Sequence, residues 1–263
     1  MLTMAREERE REHFDNVYGS RLYKEPLYVP EELRLRYLRC RDWRVYGKEC
    51  MFRLAGDLRG AEVLEMGCGC GTDSILLAHN GARVFSYDIS PEAINLAARR
   101  AEINGVADKI DFCVASSPSE AFSDMKFDLI FGNAILHHID IGKVRGELEE
   151  LLKPTGRCIF REPVIFSPML GKIRGCVPWY PSNPTEDEQP LTYETIEFLS
   201  EGFNSVELYY FECFSRVWYL FKSNKFIDGL HRFDAWMFKY FRFMRRFASV
   251  VVMHMKKDLN NNE

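Results

Sequence analysis

The chain has 263 residues, of which 46% are hydrophobic and 28% charged, and its formal net charge is −4. This composition is typical of a soluble globular protein and excludes a disordered chain, and the length suits one large α/β domain or two small ones. The first residues, MLTMAREERE, are charged where a secretion signal needs an apolar core. No uncharged apolar run reaches the roughly 18 to 20 residues of a membrane span. We therefore expect a cytoplasmic protein.

The eight cysteines are scattered along the chain without the spacing of a disulfide framework or a zinc site. Cys68 and Cys70 form one C-x-C pair, but no second pair is present to complete a metal site. We therefore expect reduced thiols and no bound metal ion.

The N-terminal region predicts two helices before the first strand. Residues 5–18 form a charged helical stretch, and residues 31–55 form a second one. The apolar positions at helical spacing in the second stretch are Leu33, Tyr37, Cys40 and Trp43. Residues 1–59 are expected to form a helical cover over the domain.

Residues 60–163 alternate between strand and helix patterns. The predicted strands are 61–67, 82–88, 109–116, 127–133 and 156–164, and the predicted helices are 72–81, 90–105 and 143–154. The helix 90–105 has Ser90 as its N-cap, Pro91 at its first position and Gly105 beyond its end, and Pro154 is expected to stop the helix 143–154. Strands that alternate with helices predict a parallel sheet covered on both faces.

The pattern loosens after residue 163. Residues 164–191 are rich in proline and polar side chains and predict a long loop, which in a compact domain is usually functional. A helix follows at 192–202, and strands at 204–214 and 248–257 bring the predicted total to seven. The expected fold is one α/β domain with a doubly wound, mostly parallel seven-stranded sheet, in which 164–191 and 214–246 are lid insertions.

A glycine-rich turn follows the first strand, in the pattern Glu65-x-Gly67-x-Gly69-x-Gly71. Such a turn lets a ligand approach the backbone closely. A dinucleotide site would need its third glycine at position 72, which is threonine. Asp88, at the end of the next strand, can accept hydrogen bonds from two ribose hydroxyls in either ligand class. Glu65 favours an amino-acid moiety, because a carboxylate there repels a pyrophosphate and attracts an ammonium.

Four motifs carry a family resemblance: VLEMGCGCG, VFSYDIS, FDLIFGNAILHHI and LLKPTGRCIFREP. In order and spacing they resemble those of class I S-adenosylmethionine-dependent methyltransferases, and especially the small-molecule branch that includes the ubiquinone-type enzymes. The resemblance covers about residues 60–165. It implies the Rossmann-like methyltransferase fold, a cofactor-binding core at 60–163, and S-adenosylmethionine as cofactor.

The resemblance also assigns cofactor residues. The glycine turn, with Glu65 and Cys68, would line the methionine portion; Asp88 would bind the ribose and Ile89 would flank the adenine. Asn133 would lie by the methionine end, and Tyr18 of the leading helix would cover the cofactor. Family members often carry an acid near position 116 or 117 that reads the adenine amino group, whereas this chain has Ser116 and Ser117. The predicted cofactor residues are thus Tyr18, Glu65, Gly67, Cys68, Gly69, Gly71, Asp88, Ile89, Ser116, Ser117 and Asn133.

Three side chains are candidates for catalysis: His137 and His138 in AILHHID, and Glu162 in FREP. Methyl transfer from a sulfonium needs mainly orientation and exclusion of water, and an alcohol acceptor also needs a base. The alternative is that a histidine packs against the sheet and caps the next helix. A metal site made from these three residues is not expected, because adjacent histidines on a helix diverge by about 100°.

The expected acceptor is a small apolar, aromatic or lipid-like molecule, bound under the lids 164–191 and 214–246. Two alternatives stay open: another reaction of S-adenosylmethionine, or a cofactor-binding protein without catalysis. A nucleic-acid acceptor is not expected, because the body of the chain is acidic and NAILHH does not resemble motifs that act on flipped bases.

Residues 214–257 hold 10 Lys/Arg against 2 Asp/Glu, on a body in which residues 61–213 hold 12 against 24. Read as a helix, part of this segment has an aromatic arc and an opposite basic face. The arc comprises Leu230, Phe233, Trp236, Met237, Tyr240, Phe241, Phe243 and Met244, and Phe238 lies outside it. Two interpretations remain compatible: a roof over the acceptor pocket, or a peripheral contact with an anionic membrane through 214–246.

Overall fold

The structure is a computed structural model of the chain that describes residues 2–21, 26–167 and 189–257. A seven-stranded sheet forms its centre. The strands are β1 (Glu62–Met66), β2 (Arg83–Asp88), β3 (Ile110–Val114), β4 (Phe127–Asn133), β5 (Leu152–Pro163), β6 (Ser205–Phe211) and β7 (Val250–Lys256). Their order is β3-β2-β1-β4-β5-β7-β6, in which β7 pairs antiparallel with both β5 and β6 and the other neighbouring strands pair in parallel. The prediction of a doubly wound, mostly parallel seven-stranded sheet is confirmed.

The order of the strands places a switch point at β1. The chain proceeds from β1 to β2 and β3 on one side and then returns to β4 on the other. Met66 at the end of β1 is level with Tyr87 on β2 and with Gly132 on β4. Ligands of open α/β sheets bind in the crevice at such a point, outside the carboxyl ends of the strands.

Helices cover both faces of the sheet. Those described are α1 (Leu2–Arg21), α2 (Glu31–Arg39), α3 (Gly47–Ala55), α4 (Thr72–His79), α5 (Pro91–Ile103), α6 (Pro118–Phe122), α7 (Ile141–Leu151), α8 (Tyr193–Ser200) and α9 (Asn224–Tyr240). Alternate residues of β1 supply two separate cores: Val63 packs with α3 and α4, and Leu64 packs with α7 and α8. This is the burial on both faces that near-continuous apolar strands predict.

The helix α5 begins as its sequence predicts. The hydroxyl of Ser90 accepts a hydrogen bond from Ala93 N at 3.1 Å, and Pro91 occupies the first helical position. Gly105, beyond the end of the helix, has φ +68°, a conformation that glycine adopts without strain.

The prediction of one continuous helix over 31–55 is wrong. The stretch forms α2 and α3, because Cys40 adopts a left-handed conformation with φ 44° at the end of α2. A turn then follows, in which Glu49 accepts the N–H of Asp42 at 2.9 Å and pairs with Arg36 at 2.6 Å. A buried carboxylate inside α3 thus holds the break over residues 40–46, which itself contains no glycine or proline.

The boundaries of α7 also differ from the prediction. The carboxylate of Asp140 accepts the N–H of Gly142 at 2.9 Å, so the helix starts at Ile141 rather than at 143. It ends at Leu151, before Pro154, which lies within β5. The pairing of β5 with β4 is irregular at this point, which accommodates a residue without an N–H group.

Most of the predicted long loop and lid 164–191, namely residues 168–188, lies outside the described residues. The two described ends of the loop meet beside β5. Val164 pairs with Leu191, and Ile165 N donates to Leu191 O at 2.9 Å. Gln189 N donates to the carbonyl oxygen of His137 at 3.1 Å, which brings one end of the loop to the segment after β4.

The insertion 214–246 contains α9, which packs at the outer end of the sheet beside β6. The carboxylate of Asp234 accepts the N–H groups of Cys213, Phe214 and Ser215 at 2.9 Å each. This contact turns the face with Asp234, Met237 and Phe238 inward, so Phe238 is buried. The predicted arc is therefore wrong in part. The helix α9 ends at Tyr240, before the last three members of the arc, and Met237 is buried whereas most of the aromatic members are exposed.

No helix among the described residues combines the length and the apolar character needed to cross a bilayer.

Candidate active site

A cavity of about 630 Å³ opens at the carboxyl ends of β1, β2, β3 and β4. It is lined by one side of α1, by the ends of these strands, and by the segment that runs from Asn133 into α7. Among its lining residues are Glu10, Phe14, Tyr18, Gly67, Tyr87, Asp88, Ile89, Ser116, Ser117, Asn133, Ala134, Ile135, His137, His138 and Glu147. The position matches the crevice expected at a topological switch point.

The three glycines of the turn all have positive φ. At each of them an added Cβ would meet a different neighbouring residue. A Cβ on Gly67 would lie 2.5 Å from Cδ1 of Ile135, and a Cβ on Gly69 would collide with the hydroxyl of Tyr18. A Cβ on Gly71 would lie 2.7 Å from Cβ of Ala97 in α5. Gly67 alone of the three lines the cavity, so the missing side chain at Gly71 serves the packing of α5 rather than a ligand.

The Asp88 carboxylate lies at the end of β2 on the cavity wall. One oxygen accepts Gly69 N at 2.8 Å and the other accepts Ser90 N at 3.0 Å. Burial raises the pKa of Asp88, and the backbone hydrogen bonds oppose this effect. Because each carboxylate oxygen has a second lone pair, Asp88 can still accept two hydroxyl donors.

The Glu65 carboxylate does not line the cavity, and its predicted contact with the cofactor stays a prediction. It is 3% exposed, and its Oε2 accepts the hydroxyls of Ser74 and of Ser86, the latter at 2.8 Å. Burial, followed by the nearby Asp73 carboxylate, raises the pKa of Glu65 to about 8. The side chain therefore joins β1, β2 and α4 beneath the glycine turn.

The remaining predicted cofactor residues divide between wall and interior. Ile89, Ser116, Ser117 and Asn133 line the cavity, whereas Cys68 is buried beneath it. The serine hydroxyls are engaged by α6: Ser117 Oγ accepts Glu120 N at 3.3 Å, and Ser116 Oγ donates to Glu120 Oε2 at 2.9 Å. Ser116 and Ser117 thus serve the start of α6.

Asn133 is held from both sides. Its amide nitrogen donates to Asp73 Oδ2 at 3.0 Å, and its oxygen accepts from Arg161 Nη1 at 3.3 Å. Asp73 also pairs with Lys48 at 2.5 Å, and Arg161 with Glu212 at 3.0 Å. The orientation of this cavity residue therefore depends on α3, α4 and the end of β6.

His137 and Glu162 form a buried pair. His137 Nδ1 lies 2.8 Å from Glu162 Oε2, and Glu162 Oε1 accepts the N–H groups of Ile135 and Leu136 at 2.9 Å each. His137 lines the cavity, while Glu162 is completely buried and does not. Because Nδ1 is engaged by a carboxylate, it carries the proton, and Nε2 is the nitrogen with the lone pair. Glu162 is thus placed to orient His137 rather than to touch an acceptor.

His138 has different partners. Its Nδ1 lies 3.3 Å from Glu10 Oε2 of α1, and its ring packs edge-on against Phe14 at 5.3 Å between centroids. His138 also lines the cavity. His138 therefore contacts the covering helix α1, whereas His137 is held by Glu162 of β5.

The helix α1 covers the cavity. Its Asp15 accepts a hydrogen bond from the hydroxyl of Ser90 at 2.5 Å, at the start of α5. Phe14 stacks on Tyr18 at 6.1 Å, and the Tyr18 hydroxyl lies over Gly69. The Tyr18 side chain thus extends from α1 to the glycine turn, and its contact with the cofactor stays a prediction.

Several lining residues escaped the sequence interpretation, among them Glu10, Phe14, Tyr87 and Glu147. Those on α1 and α7 belong to charged helices, in which no pattern separates a cavity face from a solvent face. The sequence did contain an indication for Tyr87, because a hydroxyl within a buried strand needs a hydrogen-bond partner.

No group of three or more side chains that could hold a metal ion occurs among residues 2–21, 26–167 and 189–257.

Residues 57–214, more than half of the chain, match the family model described as a methyltransferase domain. Two curated relatives match shorter stretches. Magnesium-protoporphyrin O-methyltransferase of Rhodobacter capsulatus is 35% identical over 99 residues, covering 36% of this chain and 43% of the relative. Ubiquinone biosynthesis O-methyltransferase of Rhizobium etli is 27% identical over 132 residues, covering 50% of this chain and 52% of the relative. The chain thus spans about half the length of the curated relatives it matches.

A solved structure matches over nearly the whole chain. Geranyl diphosphate C-methyltransferase of Streptomyces coelicolor A3(2), in complex with Mg²⁺, geranyl-S-thiolodiphosphate and S-adenosyl-L-homocysteine, superposes with a TM-score of 0.59. The match covers 96% of this chain and 98% of that one at 14% identity. At this identity the likeness establishes the fold.

Proposed function

Because the chain belongs to the methyltransferase domain family, we propose that it transfers a methyl group from S-adenosylmethionine to a small acceptor. The two curated relatives are O-methyltransferases, and the matched geranyl diphosphate enzyme is a C-methyltransferase with the demethylated cofactor bound. The single observation that carries the proposal is the His137–Glu162 pair, which places a base in the wall of the cavity with the glycine turn.

The cavity residues fit S-adenosylmethionine. Gly67 leaves its place on the wall free of a side chain, so a methionine moiety can approach the backbone there. Asp88 presents a carboxylate to two ribose hydroxyls, and Ile89 lies beside it as an apolar surface for the base. The volume of about 630 Å³ lies within the range of cofactor sites.

The proposed mechanism assigns one proton to His137. The bound cofactor supplies an activated methyl group on a sulfonium. His137 Nε2 would accept the proton of an acceptor hydroxyl as the oxygen–methyl bond forms and the sulfur–methyl bond breaks, with S-adenosylhomocysteine as the leaving group. Glu162 would stabilise the resulting imidazolium. The α1 helix excludes water by covering the glycine turn with Tyr18.

We propose a small apolar, aromatic or lipid-like acceptor with a hydroxyl group. Phe14, Tyr18, Ile135 and Ile139 add apolar and aromatic surface to the cavity that holds His137. The names of the O-methyltransferase relatives support a hydroxyl as the methylated group.

The test is transfer of a deuterated methyl group from labelled S-adenosylmethionine to a panel of phenols, alcohols and a lipid extract. We expect a labelled product with the wild type. His137→Ala should lower turnover by about a hundredfold to ten-thousandfold with unchanged cofactor affinity, as expected when a general base is removed. His79→Ala, at an exposed histidine outside the cavity, is the control. Full turnover in His137→Ala would remove the base from the mechanism.

We also propose that the chain contacts an anionic membrane peripherally through 214–246, where a lipid-like acceptor would be found. No described residue of this segment lines the cavity. Its aromatic side chains instead form an exposed cluster, here called the aromatic platform, that comprises Phe214, Phe233, Trp236, Tyr240, Phe241 and Phe243.

The charges around the aromatic platform favour an anionic membrane as its partner. Lys239 lies over the ring of Tyr240 at 4.8 Å, and Arg246 over the ring of Phe243 at 6.0 Å. Arg242 stands between them in the chain, and the segment carries few acids. Exposed aromatic rings beside cations favour the interface of an anionic bilayer, where the rings enter the headgroup region and the cations pair with phosphates.

Co-sedimentation with vesicles tests the membrane contact. We expect the wild type to bind phosphatidylglycerol vesicles at low salt, and to bind weakly at high salt or to phosphatidylcholine. The triple variant Trp236→Ala, Phe241→Ala, Phe243→Ala should lose this binding, whereas Tyr28→Ala, at an exposed tyrosine outside the platform, should retain it. Equal binding by the wild type and the triple variant would refute the aromatic platform as the contact.

A further inference from the structure

Part of the cavity lies between the end of β3 and α7. Tyr87, Ala115 and Val144 pack together there in one apolar cluster, and each also lines the cavity. Ala115 follows β3, and its N–H donates to the carbonyl oxygen of Asp88 at 3.0 Å. This part of the cavity is therefore directly adjacent to the residue placed to bind the ribose.

The hydroxyl of Tyr87 is the unexplained polar group of this region. The side chain is 3% exposed, and its hydroxyl has no hydrogen-bond partner among the described residues. Burial raises the pKa of Tyr87 well above its usual range, so the group remains an O–H donor at neutral pH. Since an unpaired buried hydroxyl is costly and Tyr87 is one of the residues that line the cavity, a bound ligand is the candidate partner for this hydroxyl.

Glu147 supplies a carboxylate to the same region. It lies one turn after Val144 on α7 and lines the cavity, and its charge acts on Tyr87. Arg145 of the same helix pairs with Glu149 and Glu201 instead. Tyr87 and Glu147 thus combine one hydroxyl donor with one carboxylate acceptor.

The order of the strands indicates what this pair meets. The methionine portion of the cofactor lies at β1 by Gly67 and the ribose lies at β2 by Asp88, so the base extends toward β3 and α7. An adenine edge presents an amino donor next to a ring-nitrogen acceptor. The hydroxyls of Ser116 and Ser117, at the end of β3, are engaged by Glu120 and α6.

We propose that Tyr87 and Glu147 read the adenine base of the cofactor. Glu147 accepts hydrogen bonds from the exocyclic amino group, and the Tyr87 hydroxyl donates to a ring nitrogen. The inference rests on the proposed cofactor, and it assigns base recognition to β2 and α7 in place of the serines after β3.

Calorimetric titration with S-adenosylhomocysteine and S-inosylhomocysteine tests the assignment without an acceptor. Inosine carries an oxygen in place of the amino group, so Glu147 repels it in the wild type. Glu147→Gln can donate an amide hydrogen to that oxygen. We expect this variant to bind S-inosylhomocysteine more tightly than the wild type does. The ratio of the affinities for S-adenosylhomocysteine and S-inosylhomocysteine should fall about tenfold. A gain in affinity cannot come from misfolding.

Tyr87→Phe should weaken S-adenosylhomocysteine binding by about threefold to tenfold, the usual effect of one lost hydrogen bond. Glu150→Gln, at an exposed position of α7 outside the cavity, and Tyr209→Phe, at a tyrosine of β6, are the matched controls and should match the wild type. Wild-type affinities and preference in both Glu147→Gln and Tyr87→Phe would overturn this inference alone. A wild type that does not bind S-adenosylhomocysteine would overturn the proposed cofactor together with it.

Discussion

His137 Nδ1 lies 2.8 Å from Glu162 Oε2, and the other oxygen of this carboxylate accepts the N–H groups of Ile135 and Leu136 at 2.9 Å each. One fully buried carboxylate therefore shapes the turn after β4 and selects the tautomer of the histidine in it. In the proposed mechanism Glu162 is a positioning residue, and His137, the side chain of the pair that lines the cavity, is the base.

Glu162→Gln tests this division of roles. A glutamine can keep its oxygen on the backbone N–H groups, but its amide then faces Nδ1 as a donor and moves the histidine proton to Nε2. We expect turnover to fall by about a hundredfold or more, as for other orienting carboxylates, with cofactor affinity within twofold of the wild type. Steady-state kinetics with calorimetry measures both quantities.

The control for this variant is Glu150→Gln, at an exposed glutamate outside the cavity, which should leave turnover unchanged. If Glu162→Gln turns over at the wild-type rate, the histidine does not depend on its carboxylate and the proposed base is wrong.

The second prediction concerns the pH dependence of stability. Burial raises the pKa of Glu65 from its ordinary 4.5 to about 8, so the folded state keeps a proton that the unfolded chain has lost between these pH values. The contribution of protonated Glu65 to the free energy of unfolding is therefore fully present below pH 4.5. It is lost as the pH rises toward 8, with a slope of at most about 1.4 kcal/mol per pH unit.

Glu65→Gln removes this titration and keeps an oxygen for the hydroxyls of Ser74 and Ser86. Urea unfolding across this pH range should show that the wild type loses stability relative to the variant as the pH rises. Parallel pH dependence of the two proteins would show that Glu65 is ionised throughout.

The third prediction concerns backbone strain beside the base. Ala134 has φ 61° and lines the cavity between Asn133 and Ile135, and its N–H donates to Arg161 O at 2.8 Å. A left-handed alanine is strained, so Ala134→Gly should stabilise the protein by about 0.5 kcal/mol after the added freedom of the unfolded chain is counted. Ala98→Gly, in the interior of α5, should destabilise it by about 1 kcal/mol. Destabilisation of equal size by both variants would show that the alanine conformation carries no strain.

Structural features that depend on local sequence patterns could be predicted. Ser90, Pro91 and Gly105 bound α5 as predicted, and alternation of strands and helices predicted the doubly wound sheet. These features depend on neighbours within a few residues, whose effects do not require knowledge of the fold.

Features that depend on distant contacts could not be predicted. The break between α2 and α3 requires Glu49 to reach the backbone of Asp42. The position of Glu65 away from the cavity requires hydroxyls from two other elements, at Ser74 and Ser86. The inward face of α9 is chosen by Asp234, whose backbone partners lie about 20 residues earlier in the chain.

The most direct measurement of the central claim is calorimetric titration of the wild type and Asp88→Ala with S-adenosylhomocysteine and with NAD. We propose that the Asp88 carboxylate, which lines the cavity, accepts two ribose hydroxyls, and its loss should then weaken binding by about 2 to 4 kcal/mol. We expect one site for S-adenosylhomocysteine in the wild type, much weaker binding in Asp88→Ala, and no binding of NAD. Unchanged affinity in Asp88→Ala, or binding of NAD by the wild type, would contradict the account.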